Sequence, residues 1–252
     1  MTAAPRWRHE MSNSTQLQAL AADYPTQELW PWAEQLANCH LVACCFEPQT
    51  APLIQLSPHM ARASRKRQAE YIAGRHCAGC GLARLTGHYQ WPARGADRAP
   101  IWPAGTVGAI SHCGGQALAL VGQSSSYSGL GIDVEELLSE AQASPLAHLV
   151  LTRAERQRWA KTPLGWLVSL AFSAKESLFK ALYPLVGQPF YFDAAELDGW
   201  PAAGQARLRL RTTLAPHWRA GQAFTIQYSL LHGRLLTCVA IPAVHSPLQL
   251  RQ

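Results

Sequence analysis

The chain has 252 residues, 48% of them hydrophobic and nine of them Trp, which favours a globular protein over a disordered one. Its 22 basic and 16 acidic residues leave a formal net charge of +6, a modest excess that suits an anionic partner such as a nucleic acid, a nucleotide or an acidic protein. No apolar run approaches the roughly 18–20 residues of a membrane-spanning helix, and the N-terminus has no apolar signal-peptide core, so we expect a cytoplasmic protein.

The first third of the chain contains one strand and one long helix. Residues 1–30 are polar and irregular, and residues 40–46 (HLVACCF) predict a buried strand. Residues 57–87 predict a long helix, since Ser57 is a suitable N-cap and Gly87 a suitable stop.

Two cysteines of this predicted helix form a CxxC pattern. Cys77 and Cys80 lie in an Ala/Gly-rich segment, with no second CxxC and no preceding strand. The seven cysteines as a whole show no disulfide-framework spacing. We therefore expect thiols that pack in the core of a protein from a reducing compartment, rather than a redox or zinc site.

The middle of the chain predicts a small antiparallel meander. A Pro- and Gly-rich loop over 92–103 precedes three short strand candidates at 107–111, 117–122 and 129–134. Gly114-Gly115 suits a tight hairpin turn between the first two strands. We expect the third strand to continue the same sheet.

The second half predicts two helices followed by strands. The helices span 145–160 and 165–183, the second ended by Pro184 and Gly187. The strands span 189–192, 206–211, 222–229 and 234–241. This order predicts an α+β fold in which each half has a long helix and a small sheet, and a pseudo-duplicated architecture is compatible with it.

The segment LAFSAKESLFKAL, residues 170–182, places three charges on an apolar helix. Its leucines and alanines recur every three or four residues and form one apolar stripe. Glu176 lies about 200° from Ala174 on the helical wheel, and Lys180 shares its outer face. On this segment alone, an exposed Glu–Lys pair, which contributes ~0.3–0.5 kcal/mol, is favoured over a functional site.

The segment GIDVE, residues 131–135, brings two acidic side chains together. Side chains two apart in a strand share a face, so Asp133 and Glu135 lie side by side, opposite Ile132 and Val134. Their mutual repulsion calls for a cation, and Mg²⁺ prefers oxygen ligands of this kind. A solvated strand face is the alternative.

Basic residues and one histidine supply candidate phosphate contacts. His112 ends a strand beside the Gly turn, where backbone N–H groups can meet a phosphate, although a turn His bonded to its own loop explains it equally well. The basic residues on or near the first long helix and its following loop are Arg62, Arg65, Lys66, Arg67, Arg75 and Arg98. Arg suits bidentate phosphate binding. A solvated face is the alternative; a nucleic-acid surface is disfavoured, because aromatic residues are not interleaved.

Taken together, these motifs resemble a known family. GIDVE followed by FSAKESLFK (172–180) resembles the paired signature of the phosphopantetheinyl transferases of the surfactin/enterobactin-synthase type, G-[IV]-D-x-E and [FW]-S-x-K-E-[SA]-x-x-K. The segments KRQAEYIAGR, DRAPIWPAG and ISH upstream are similar to its enterobactin-synthase branch, and LAFSAKESLFKALYPLVG is especially similar to the broad-range pseudomonad enzyme. The resemblance covers roughly residues 60–240.

The resemblance implies a fold and a reaction. The expected fold is a pseudo-dimer of two α/β halves, 1–125 and 126–252, with the active site in the cleft between them. The expected enzyme transfers the 4′-phosphopantetheine arm of coenzyme A to a serine of apo acyl or peptidyl carrier proteins, including those of siderophore synthases. Adenosine 3′,5′-bisphosphate is released, and Mg²⁺ is required. We expect a monomer.

Motif positions imply the roles of the acidic and lysine residues. Asp133, Glu135 and Glu176 would ligate Mg²⁺, and Glu176 would also deprotonate the carrier serine, directly or through a metal-bound water. Lys180 would neutralise the phosphates with help from Lys175, so Lys180 and Asp133 also belong to the coenzyme site.

The same resemblance implies the coenzyme contacts. Ser111 and His112 would contact the 3′-phosphate, and Arg75 and Arg98 the phosphates or the adenine end. Arg62 or Arg65 would do likewise. Cys113 stands where family members often have Ser or Thr, which puts only a minor polar contact in doubt.

Two other functions stay open on the residues alone. A metal-dependent phosphohydrolase could use the same acids but would need no carrier protein. A basic nucleic-acid-binding module would show a salt-sensitive affinity for DNA or RNA that coenzyme A does not affect. The motifs do not choose among fatty-acid, siderophore and polyketide carriers.

Overall fold

The computed structural model describes residues 23–50, 56–200 and 202–243, together with Leu20 and Ile54. Most of the polar stretch predicted over residues 1–30 therefore lies outside the described residues. Helices and antiparallel strands occur in separate runs along the chain, as expected of the predicted α+β fold. Within the described ranges, no helix has the length and hydrophobicity to span a membrane.

Sixteen helices and strands make up the described chain. In order they are β1 (Thr26–Glu28), β2 (Cys39–Cys45), α1 (Pro58–Ala61), α2 (Arg65–Thr86), β3 (Ala93–Arg94), β4 (Pro100–Ile101), β5 (Thr106–Cys113), β6 (Gln116–Gln123), β7 (Tyr127–Glu136), α3 (Glu140–Val150), α4 (Arg153–Arg158), α5 (Leu164–Val186), β8 (Ala195–Gly199), β9 (Gln205–Leu210), β10 (Ala223–Leu231) and β11 (Arg234–Pro242).

Two antiparallel sheets lie between two long helices. The first sheet has the order β1-β2-β6-β5 and the second the order β7-β11-β10-β9-β8. Alternation along β6 explains the stacking, because Ala119 and Val121 pack with α2 whereas Leu118 and Leu120 pack against the second sheet. The layers therefore run α2, first sheet, second sheet, α5.

The third strand of the predicted meander belongs to the other sheet, so that prediction is wrong. Strand β6 has β2 on one edge and β5 on the other, which leaves no edge for β7. Strand β7 pairs with β11 instead, from Glu136 opposite Arg234 to Tyr127 opposite Pro242. The predicted hairpin turn at Gly114-Gly115 is confirmed, and both glycines have positive φ.

Three helix predictions need correction. The helix expected over 57–87 is two, α1 and α2, because Ser64 starts a new helix by accepting a hydrogen bond from the Arg67 N–H; it ends at Gly87 as predicted. The helix expected over 145–160 is α3 and α4, separated where Thr152 forms a capping box with Glu155. Helix α5 continues through Pro184 and ends at Gly187.

One strand prediction in the second half is wrong and three are confirmed. Residues 189–192 are not a strand; a 3₁₀ turn at Phe192–Ala194 leads into β8. The strands expected over 206–211, 222–229 and 234–241 are β9, β10 and β11.

Candidate active site

The polar centre of the molecule joins one strand from each sheet, β5 and β7, and the helix α5. Asp133 on β7 is buried, and its Oδ1 accepts hydrogen bonds from Lys180 Nζ (2.7 Å) and Ser111 Oγ (2.8 Å). Lys180, on α5, also donates to Ser111 Oγ (3.1 Å) and to the Ile132 carbonyl (3.0 Å). A charged pair with this many hydrogen bonds holds β5, β7 and α5 in one arrangement.

The strand pattern places these groups as predicted from GIDVE. Ile132 and Val134 pack in the core between the sheets, so Asp133 faces the other way, towards α5. Gly131, on that same face, lets the helix backbone come close: a Cβ built there would lie 1.8 Å from the Ser177 carbonyl oxygen. The motif glycine therefore permits the helix to cross β7 beside the acids.

Three carboxyl groups share this centre with one lysine. Burial, and then the charge of Asp133, raises the pKa of Glu135 to about 7. Burial also raises the pKa of Glu176, against the opposing effect of Lys180. The Asp133 Oδ2 atom is buried and has no hydrogen-bond partner among the described residues. The site is therefore short of positive charge.

The donor set fits a magnesium ion in its chemistry. Carboxylate oxygens are the protein ligands that Mg²⁺ prefers, and it keeps several waters when only one or two carboxylates bind it. Among the residues described, no three His, Cys, Asp or Glu side chains are already gathered as a metal site. The free Asp133 Oδ2 is the atom that fits such an ion best.

The departure at Cys113 falls beside one of these acids. The Cys113 thiol donates to Glu135 Oε2, at 3.6 Å from sulfur to oxygen. Burial, and then the charge of Glu135, raises the pKa of the thiol to about 11. Cys113 is therefore protonated and a weak donor to Glu135 at neutral pH.

An arginine-lined cavity of about 150 Å³ adjoins this centre. Arg75 is 5% exposed, and its Nε and Nη1 have no hydrogen-bond partner in the described part of the chain. Its guanidinium lies 5.3 Å from the centroid of the Tyr71 ring. A buried guanidinium with free N–H groups has the chemistry to bind an anion, because leaving it unpaired is costly.

His112 lies on the wall of this cavity. Burial lowers its pKa, although Glu70 opposes that effect. A neutral ring accepts a hydrogen bond at Nε2 from Arg67 Nη1 at 3.0 Å. His112 and Arg67 thus form one polar wall of the cavity, and the hydrogen bond between them keeps both side chains in place.

A second cavity of about 420 Å³ lies between residues 97–110 and the C-terminal part of α5. Its aromatic wall is formed by Trp102, Phe179 and Tyr183. The hairpin turn between β3 and β4 covers it: Arg98 there has φ 74°, and the Tyr183 hydroxyl donates to Asp97 Oδ2 at 2.8 Å. Arg98 lines both cavities, so the two are neighbours at this turn.

The structure gathers most, but not all, of the predicted site residues. Those that lie at the acidic centre or line the adjoining cavities are Ser111, His112, Asp133, Glu135, Glu176, Lys180, Arg75 and Arg98. Arg62 and Arg65 are exposed and line neither cavity. The Lys175 ammonium is buried in an ion pair with Glu155 instead.

Of the other arginines of the cavity, Arg67 was named as a candidate phosphate contact without being given a role, and Arg94 was missed. Arg67 and Arg94 line it together with Arg75. Arg67, Tyr71 and Arg75 recur every four residues along α2, a signal that marks one helix face. Arg94 lies in the Pro- and Gly-rich stretch over 92–103, which has no periodicity, so only the fold places it.

Comparisons with known proteins agree with this geometry. Residues 55–122 match the 4′-phosphopantetheinyl transferase N-terminal domain, and residues 129–233 match the 4′-phosphopantetheinyl transferase superfamily. Enterobactin synthase component D of Escherichia coli O157:H7 is 38% identical over 178 residues, 67% of this chain and 81% of the relative. The 4′-phosphopantetheinyl transferase Svp of Streptomyces mobaraensis is 36% identical over 195 residues, 73% of this chain and 76% of the relative.

A third relative, the 4′-phosphopantetheinyl transferase PptT of Mycobacterium tuberculosis (strain ATCC 25618 / H37Rv), is 33% identical over 169 residues, 64% of this chain and 74% of the relative. The chain belongs to the 4′-phosphopantetheinyl transferase superfamily. It is an enzyme that uses coenzyme A and transfers the phosphopantetheine arm to carrier proteins. The predicted function is confirmed, and neither the phosphohydrolase nor the nucleic-acid-binding alternative finds support. The closeness to a pseudomonad enzyme stays a prediction.

Proposed function

We propose that the arginine cavity holds the 3′-phosphate end of coenzyme A while its pyrophosphate lies at the acidic centre. Arg75 carries this proposal, since a buried guanidinium with two free N–H groups calls for an anion. Two neighbouring residues of β5 link the places, because His112 lines the cavity and Ser111 belongs to the centre. A ligand with phosphate groups at two places, one for the arginine cavity and one for the acidic centre, fits this arrangement.

The acidic centre performs the transfer in this proposal. The carrier serine Oγ attacks the phosphorus that bears the pantetheine arm, and the bond to adenosine 3′,5′-bisphosphate breaks. Glu176 takes the serine proton, a role that its raised pKa favours. Lys180 donates to the phosphate oxygens as charge moves to the leaving group, and Asp133 keeps its ammonium in position.

Asp133, Glu135 and Glu176 would hold Mg²⁺ between them. The ion would neutralise the pyrophosphate and so help the leaving group depart. The free Oδ2 of Asp133 and the crowded carboxyl groups support this assignment. Arg67 and Arg94 join Arg75 and His112 at the 3′-phosphate in place of Arg65.

The carrier we propose is a siderophore-synthetase domain, with the fatty-acid carrier as the second substrate. The relatives named enterobactin synthase component D support the first choice. The net charge of +6 favours an acidic carrier of either kind. We further propose a cytoplasmic monomer, with the boundary between its halves at residue 125, in the turn that separates the two sheets.

The test is the intact mass of an apo carrier after incubation with the enzyme, coenzyme A and Mg²⁺. We expect the mass of one phosphopantetheine arm to be added, faster for a siderophore-synthetase carrier than for a fatty-acid carrier. A carrier whose acceptor serine is replaced by alanine is the control. Equal or faster modification of the fatty-acid carrier would refute the carrier assignment, and transfer that persists after removal of divalent cations would refute the magnesium assignment.

A further inference from the structure

The ammonium group of Lys175 is held inside the second half of the molecule. Its Nζ donates to Glu155 Oε2 at 2.9 Å and to the Val150 carbonyl at 2.8 Å. Lys175 is 4% exposed and Glu155 is 0% exposed. Although Lys175 lines an apolar cavity beside Glu176, its charged end is committed to this pair. The ammonium group of Lys175 is therefore not free to bind a phosphate held by Lys180.

The Lys175–Glu155 pair is bonded to three elements besides α5. Glu155 Oε2 accepts from the Thr152 N–H at 2.6 Å, at the start of α4, and its Oε1 accepts from the Leu197 N–H at 2.7 Å, in β8. Val150 closes α3, so Lys175 also satisfies the last carbonyl of that helix. One carboxylate and one ammonium therefore fasten α3, α4 and β8 to α5.

The pair lies one residue from the acid assigned as the proton acceptor. On a helix, Glu176 is about 100° from Lys175 and about 40° from Lys180. Lys180 is bonded to Asp133 on one side of α5, and Lys175 to Glu155 on another. Two ion pairs in different directions restrain the rotation of the helix, and Glu176 lies between them.

We propose that Lys175 is a positioning residue: its buried ion pair with Glu155 fixes α5 so that Glu176 meets the carrier serine, and it contacts no phosphate. The proposal rests on the proposed function, since the role of Glu176 is assigned there. It replaces the assistance at the phosphate that the sequence motif led us to expect of Lys175.

Three variants test this role: Lys175→Met, Glu155→Gln and the double variant. Lys175→Met leaves the Glu155 carboxylate buried without its partner, so we expect a lower Tm and a kcat reduced by roughly tenfold or more. The Kd of coenzyme A, measured by calorimetry, should stay within about twofold, because no phosphate contact is lost. If the pair positions α5 as a unit, Glu155→Gln and the double variant should have kcat values within about threefold of that of Lys175→Met, with the same unchanged Kd for coenzyme A.

A chemical role would give different results. If Lys175 acts on a phosphate, Glu155→Gln keeps a kcat within about threefold of the wild type, and coenzyme A binds at least about tenfold more weakly to Lys175→Met and to the double variant. Either result overturns the proposal. Should Lys175→Met fail to fold, Glu155→Gln and the double variant decide, because kcat and Kd are measured for both. Absence of transfer by the wild type would instead refute the proposed function, which separates the two failures.

Discussion

Replacement of Gly131 by alanine should disable the enzyme, because it forces helix α5 away from strand β7. Gly131 is in strand β7 and is not among the described residues with positive φ, so alanine meets no torsional penalty there. Its Cβ, however, would lie 1.8 Å from the Ser177 carbonyl oxygen and 2.7 Å from the carbonyl carbon. Neither group is the end of a flexible side chain. The strand and the helix must therefore separate.

The separation is large enough to break the central hydrogen bond between Lys180 and Asp133. Real Cβ contacts essentially never fall below 3.0 Å, so the backbones must part by at least about 1.2 Å. Added to the 2.7 Å between Lys180 Nζ and Asp133 Oδ1, such a shift exceeds hydrogen-bond reach. A misplacement of about 1 Å costs on the order of 100-fold in rate, and overpacking costs about 1–3 kcal/mol of stability. We expect losses of that size in kcat and in the free energy of unfolding.

The assay compares Gly131→Ala with a matched strand glycine. At Gly199 a Cβ would meet only the flexible end of Arg207, at 3.2 Å, so Gly199→Ala should leave kcat and Tm nearly unchanged. Carrier modification gives kcat, and thermal unfolding gives Tm. A Gly131→Ala enzyme with kcat within about twofold of the wild type and an unaltered Tm would refute the reasoning, because it would mean that the helix does not need this close approach.

Three further perturbations test other parts of the site. Arg75→Met should weaken coenzyme A binding by roughly 10–100-fold, the value of a lost charge-assisted hydrogen bond, with an unchanged KM for the carrier; unchanged coenzyme affinity would remove Arg75 from the phosphate site. Because burial raises the pKa of Glu135 to about 7 and the carboxyl must be ionised to bind a cation, Mg²⁺ affinity measured by titration should fall as pH drops below 7. Glu135→Gln should weaken that dependence, leaving the part that Glu176 contributes, whose pKa burial also raises. Tyr183→Phe removes an exposed hydrogen bond to Asp97, so coenzyme affinity should change by about threefold or less, and a larger loss would show that the turn closes over the coenzyme.

The positions that strand alternation and motif spacing fixed were predicted well. Asp133 and Glu135 share a face because side chains alternate along any strand, whatever its neighbours. Glu176 and Lys180 lie on one helix face for the same kind of local reason. The role of Gly131 was not predictable, since it depends on the helix that crosses the strand rather than on the strand itself.

The failures share a cause in long-range packing. The orientation of Lys175 depends on Glu155, twenty residues away, and on a strand that comes later in the chain. The family motif implied that Lys175 assists at the phosphates, but a buried carboxylate in reach decides where a long flexible side chain ends. The wrong meander prediction has the same origin. Strand β6 pairs with β5 as predicted, but its other edge pairs with β2, and local patterns could not show that β2 is preferred to β7 there.

The central site depends on the stacking of the two sheets rather than on either half. Ser111 comes from the first sheet and Asp133 from the second, and their hydrogen bond joins strands that are not neighbours in either sheet. Ile132 and Val134 pack in the layer between the sheets, while the other face of β7 receives α5. One ten-residue strand thus anchors the apolar interface on one face and the acids on the other. Any change that loosens the packing between the sheets should therefore displace the acidic side chains, because Asp133 lies between Ile132 and Val134 in the chain and cannot move independently of them.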